Sequence, residues 1–126
     1  MADPTPPVPA GKQVIQSYGQ GRFRISGAEH VGSVLVFPDR TLPWPVAAAD
    51  ALDLDGLAEV VKPGAAVEVL LVGTGERAVL LPPALRAGLR AKGVVADAMA
   101  TGAACRTYNV LLAEDRRVAA ALIAVP

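Results

Sequence analysis

Residues 67–75 read Val-Glu-Val-Leu-Leu-Val-Gly-Thr-Gly. The first six are β-rich and apolar with little polar alternation, the pattern of a strand buried on both faces, as in parallel sheets. The glycines predict a turn at its carboxyl end. Downstream, Pro82-Pro83 opens a helix, where proline is tolerated in the first turn. Leu85 and Leu89 form its apolar stripe, Arg86 and Arg90 its wet face, and Gly93 its C-cap. Residues 94–98 read as a short strand. Thr101 is placed to N-cap a further helix with Ala104, Tyr108, Leu111 and Leu112 on one face. Asp115 falls in the next turn, and residues 118–125 (VAAALIAV) form a last buried strand.

Working upstream, Phe23 and Ile25 alternate with Arg22, Arg24 and Ser26, the period of a half-buried strand ending at Gly27. Residues 33–37 (SVLVF) read as a second strand, and the two are expected to pair as a hairpin or meander. Leu42-Pro43-Trp44-Pro45 reads as an extended corner. Asp53 is placed to N-cap a short helix through Val61, stopped by Pro63-Gly64. Strands come first, then strand and helix alternate. The expectation is an α/β three-layer sandwich, with a mixed sheet of about five strands and about three helices. Four prolines within residues 1–12 predict a disordered tail, and residues 13–126 a single domain.

Composition narrows the function. The 126 residues carry 12 basic and 12 acidic side chains, with no basic block to gather phosphates, so no nucleic-acid partner is expected. Mean hydropathy is +0.40, yet no charge-free run approaches the roughly 20 residues of a membrane span, so no transmembrane segment is expected. The N-terminus lacks the pattern of an export signal. With one cysteine and no disulfide, the cytoplasm is the expected compartment.

Gly73-Thr74-Gly75-Glu76-Arg77-Ala78 fits the dinucleotide fingerprint, with Asp97 where a ribose-binding acid belongs. That site needs a helix N-terminus at the glycines. The next helix starts only at Pro82-Pro83, so a plain glycine turn is the stronger reading. Cys105 falls early in its helix beside Arg106, which favours a thiolate, but no base is assured nearby and a packed thiol is the stronger reading. His30 alone offers no metal site. Trp44 is read as a core lid before an exposed partner anchor. Arg22 and Arg24 are read as a solvated strand face before an anion trap. No catalytic residue, metal or cofactor is expected.

Several segments together resemble a known family. They are Arg22-Phe23-Arg24-Ile25-Ser26-Gly27, Gly32-Ser33-Val34-Leu35-Val36, Trp44, Gly73-Thr74-Gly75 and the helix around Pro83 and Leu85. Most specific is Thr101-Gly102-Ala103-Ala104-Cys105-Arg106-Thr107-Tyr108-Asn109-Val110-Leu111, with Glu114 and residues 117–122 after it. The chain resembles a bacterial member of a small domain family of unknown function that includes the third assembly factor of mitochondrial respiratory complex I. The resemblance implies a three-layer α/β sandwich and supplies no catalytic residues to carry over.

The sequence supports two functional expectations. The first is a non-enzymatic interaction protein that assists assembly or stability of a respiratory membrane complex, with a complex subunit or assembly intermediate as partner. The second is a binding protein or enzyme for a small anionic ligand, held where the Gly73–Gly75 loop meets the Thr101 helix start. The candidate residues for either are Gly73, Thr74, Gly75, Thr101, Cys105, Arg106, Tyr108, Asn109 and Trp44. Arg106 and Asn109, three apart and off the apolar stripe, are read as one exposed side of the helix.

Overall fold

In the computed structural model, residues 11–126 are described. The expected tail lies, apart from Gly11 and Lys12, outside the described residues. The chain runs through β1 (Ile15–Gly19), β2 (Arg22–Ile25), β3 (Ala28–Val31), β4 (Val34–Val36) and β5 (Thr41–Pro43). It continues through α1 (Ala58–Val61), β6 (Val69–Gly73), α2 (Pro83–Ala91), β7 (Val95–Met99), α3 (Thr101–Ala113) and β8 (Val118–Leu122). Single 3-10 turns at Ala49–Ala51 and Asp55–Leu57 precede α1.

Five strands form a mixed sheet in the order β5-β4-β8-β6-β7. β6 is parallel to β7 and to β8, as its unbroken apolar run predicts, while β4 is antiparallel to β5 and β8. The path from β6 to β7 crosses through α2. The path from β7 back across β6 to β8 reverses direction along the sheet. It carries α3 on the face opposite α2, so the two crossovers share one hand.

One face packs Leu70, Val72, Ala119 and Ala121 under α1, the 3-10 turn before it and α2, where Leu57, Val60, Leu85 and Leu89 are buried. The other face packs Leu71, Val118, Ala120 and Leu122 under Ala104, Tyr108 and Leu112 of α3, beside Ile15, Phe23 and Ile25. The three-layer expectation therefore holds, with an addition: half of one outer layer is a three-stranded antiparallel sheet, β1-β2-β3. All five residues of the central β8 are buried, and three are alanine, which lets both outer layers approach the sheet closely.

Local readings differ in four places. β2 does not pair with residues 33–37. It pairs with β1 and β3 across two-residue loops, Gln20-Gly21 and Ser26-Gly27, while β4 joins the large sheet. All four loop residues have positive φ, the geometry that matches hairpin twist. Thr41–Pro43 is an edge strand and not a plain corner, and an edge is where proline's missing N–H does no harm. The Asp53 carboxylate does accept a backbone N–H, from Gly56 at 2.8 Å, but the helix it introduces is a 3-10 turn and then only four α-helical residues. Finally, Ala100 with φ −59° and ψ 147° takes the N-cap position of α3, and Thr101 is the first helical residue.

The small sheet is joined to α3 by one side chain. The Asn109 Oδ1 accepts the Ile15 N–H at 3.0 Å, and its Nδ2 donates to the Ile15 carbonyl at 2.7 Å. A primary amide matches a peptide group in this way because it offers a donor and an acceptor side by side. Replacing it with alanine leaves two partly buried backbone groups without partners, each costing on the order of 1–3 kcal/mol. Asn109→Ala is expected to lower the denaturant midpoint and to speed hydrogen exchange in β1 before the large sheet. An unchanged midpoint would show that the Asn109 pairing adds nothing to the hold of α3 on the small sheet.

Candidate functional site

β6 and β7 are adjacent and parallel, so their carboxyl ends and the start of α3 meet at one corner, as the ligand expectation required. Thr74 N–H donates to Met99 O at 2.9 Å, and Thr101 N–H to Gly75 O at 2.8 Å. Gly75 N–H donates to the Thr101 hydroxyl at 3.0 Å, and that hydroxyl donates to Ile123 O at 2.8 Å. The Thr74 hydroxyl accepts Val79 N–H at 2.9 Å and donates to Arg77 O at 2.6 Å. Thr101 does not cap its own helix, because its oxygen is bonded to distant backbone.

The corner is also tight. A Cβ on Gly73 would lie 2.9 Å from Thr101 Cα and 3.1 Å from Leu122 Cδ2, so glycine is required here for space. α2 begins at Pro83, well beyond the glycines, and brings no helix N-terminus to a pyrophosphate. The fingerprint of residues 73–78 is therefore a strand-end turn.

The flank of α3 toward β1 is more open. A cleft of about 490 Å³ is lined by Gln16, Tyr18, Cys105, Arg106 and Asn109 among others. A second of about 360 Å³ lies at the start of α3, lined by Tyr18, Gly75, Glu76, Gly102 and Arg106 among others. Tyr18, which sequence reasoning passed over, borders both. Its hydroxyl packs on Gly102, where a Cβ would overlap it. Arg106 is exposed and makes no ion pair among the described residues. Its guanidinium is thus free to face these clefts, whereas Asn109 is engaged by Ile15.

The remaining candidates are inside. Cys105 is 3% exposed, and burial pushes its thiol up to about 12 against the weaker opposing pull of Arg106. It is a packed thiol and not a thiolate at neutral pH. His30 lies on β3, at the edge of the small sheet away from the α3-contacting β1. Tyr108 is fully buried, its hydroxyl has no partner among the described residues, and burial raises its pKa. Trp44 is a core lid: it is 4% exposed and its Nε1 donates to Gly56 O at 2.9 Å. Among the described residues, no group of three His, Cys, Asp or Glu side chains is placed to hold a metal, and no helix is long and apolar enough to cross a membrane.

This arrangement, a mixed sheet with helices on one face and a helix beside a small antiparallel sheet on the other, is shared with a Mth938-like domain. The solution structure of a Bordetella pertussis protein described as such a domain matches with a TM-score of 0.79 at 35% identity, covering 98% of this chain and 92% of that one. More particularly, the chain belongs to the family described as "Protein of unknown function (DUF498/DUF598)", which matches residues 15–123. It is 42% identical over 123 residues to an uncharacterized protein of Rhodobacter capsulatus, covering 98% of this chain and 94% of that protein. It is 37% identical over 109 residues to NADH dehydrogenase (ubiquinone) 1 alpha subcomplex assembly factor 3 of Xenopus tropicalis. That match takes in 86% of this chain but only 60% of the frog protein.

The buried thiol gives a pH test. The fold holds Cys105 protonated, so the unfolded chain releases its proton first, from about 9.0, and the folded chain only near 12. Stability is retained below pH 9 and lost as pH rises toward 12. Urea melts across that window are expected to show a steeper loss for the wild type than for Cys105→Ala. Comparing slopes removes the constant packing cost of the substitution. Equal slopes, or fast labelling of the native thiol at neutral pH, would contradict this.

Proposed function

We propose that this protein is a non-enzymatic interaction protein that assists assembly or stability of a respiratory membrane complex, acting on a complex subunit or assembly intermediate from the cytoplasm. The observation that carries this reading is the frog assembly factor, which is related along 86% of this chain. What the two proteins share is thus nearly the whole domain.

The site chemistry supports the same reading. The backbone N–H groups of Thr74, Gly75 and Thr101 at the corner donate to Met99 O, the Thr101 hydroxyl and Gly75 O, which leaves a ligand few donors. The thiol is buried and protonated, and the one histidine sits on the far edge of the small sheet. Large apolar side chains stand in solvent at Leu80 (88% exposed), Val31 (75%) and Val95 (60%), and protein contacts draw on such groups. The second reading, a small anionic ligand, is favoured by one observation: the Arg106 guanidinium, which makes no ion pair among the described residues, beside the clefts at the start of α3.

The test is affinity purification of the tagged chain from its own organism, with respiratory complex levels measured in a deletion strain. Recovery of respiratory subunits or assembly intermediates, with reduced assembled complex in the deletion, is expected. Intact complex level and activity with no such subunit recovered would overturn the reading. Phosphate-dependent shifts at Arg106 would then favour the anionic ligand.

A further inference from the structure

The two edges of the large sheet are built differently. β5 is three residues long and carries Pro43, which blunts it against pairing. β7 is five residues long, Val-Ala-Asp-Ala-Met, and holds a continuous register on β6 with no proline, lysine or bulge. Val95 N–H donates to Glu68 O, and Met99 O accepts Thr74 N–H, so residues 95, 97 and 99 turn their main-chain groups toward β6. By alternation, Ala96 and Ala98 turn theirs outward, to the edge that pairs with no strand among the described residues.

The surroundings of that edge have one sign of charge on the α2 side. A cleft of about 180 Å³ beside it is lined by Arg86, Arg90, Val94, Val95 and Ala96. Both arginines are exposed, and neither pairs with a carboxylate among the described residues. α2 itself holds no acidic residue, and Lys92 comes directly after it. On the opposite face of β7, Val95 stands 60% exposed and Asp97 is also exposed.

We propose that β7 is a docking edge for an extended acidic segment of a partner protein, which adds as a further strand and directs carboxylates at Arg86 and Arg90. The added strand takes the free groups of Ala96 and Ala98. Its side chains on the α2 face meet the two guanidinium groups, and those on the other face pack by Val95. A second copy of this chain fits less well. Two-fold pairing of β7 brings both arginine pairs to one face with no carboxylate between them. In the register that bonds Ala96 to Ala98 of the other copy, Asp97 faces Asp97.

This assignment deepens the proposed function and rests on its protein partner. It is tested on the isotope-labelled full chain with two capped peptide probes, one alternating Glu and Val, the other Lys and Val. The acidic probe is expected to protect the Ala96 and Ala98 amides from exchange and to bind at least about tenfold more tightly than the basic one. Arg86→Glu combined with Arg90→Glu is expected to reverse that preference. Ala98→Pro, which removes an outward N–H, is expected to abolish binding. Equal binding of the two probes, an unchanged preference in the charge-reversed chain, or protection confined to other strands would overturn the proposal. So would self-association that protects Ala96 and Ala98 without peptide. The charge-reversed chain also serves as bait. If it recovers the same respiratory subunits as the wild type, the β7 assignment fails and the proposed function stands. If the wild type recovers none while peptide binding tracks the arginines, the functional reading fails and the β7 edge stands.

Discussion

One hydroxyl ties the ends of the parallel strands together. Thr101, fully buried at the first position of α3, accepts the Gly75 N–H and donates to the Ile123 carbonyl. The loop after β6, the start of α3 and the end of β8 are thereby fixed to a single atom. Gly73 lies directly beneath, with no room for a side chain. In an apolar setting each of these bonds matters chiefly because leaving its buried partners unmade costs on the order of 1–3 kcal/mol. This junction sets the alignment of α3 across β6 and β8, and with it the position of everything α3 carries.

The same geometry explains why the corner is architecture first. Open α/β sheets offer ligands the free main-chain groups at the carboxyl ends of their strands. Here Gly75 and Thr101 satisfy one another, and Thr74 is bonded to Met99, Arg77 and Val79. The free chemistry has moved outward, to Arg106 beside the α3 clefts and to the arginines beside β7. That distribution supports the proposed reading, in which the domain recognises a protein surface. Its frog relative is an assembly factor, a longer protein of which this chain matches one part.

The β6, β7 and β8 part of the large sheet was legible because its strands and helices are each dictated locally, whereas β4 was expected to pair with β2 and β5 was read as a corner. An unbroken apolar run marks β6 and β8, Pro83 and Gly93 bracket α2, and helical spacing places Ala104, Tyr108 and Leu112. The small sheet was only half legible. β1 and β3 have mostly exposed residues and weak alternation, and their real signals were the loop pairs Gln20-Gly21 and Ser26-Gly27. At the site, residue type was enough to indicate the packed state of Cys105 and Trp44. It was not enough for Thr101 and Asn109, because their partners lie 22 or more residues away along the chain. A threonine before a helical run looks the same whether its hydroxyl caps that helix or reaches across a sheet.

Native-state hydrogen exchange tests the central claim, that the Thr101 junction is part of the cooperative core and not an adaptable binding loop. The account predicts that the Gly75, Thr101 and Ile123 amides, which donate to the Thr101 hydroxyl, Gly75 O and Gly73 O, exchange only through global unfolding. Their opening free energies should then match those of β6 and β8 and fall with denaturant at the full unfolding slope. Exchange of these three amides through a low-energy local opening, with little denaturant dependence while β6 and β8 stay protected, would contradict it.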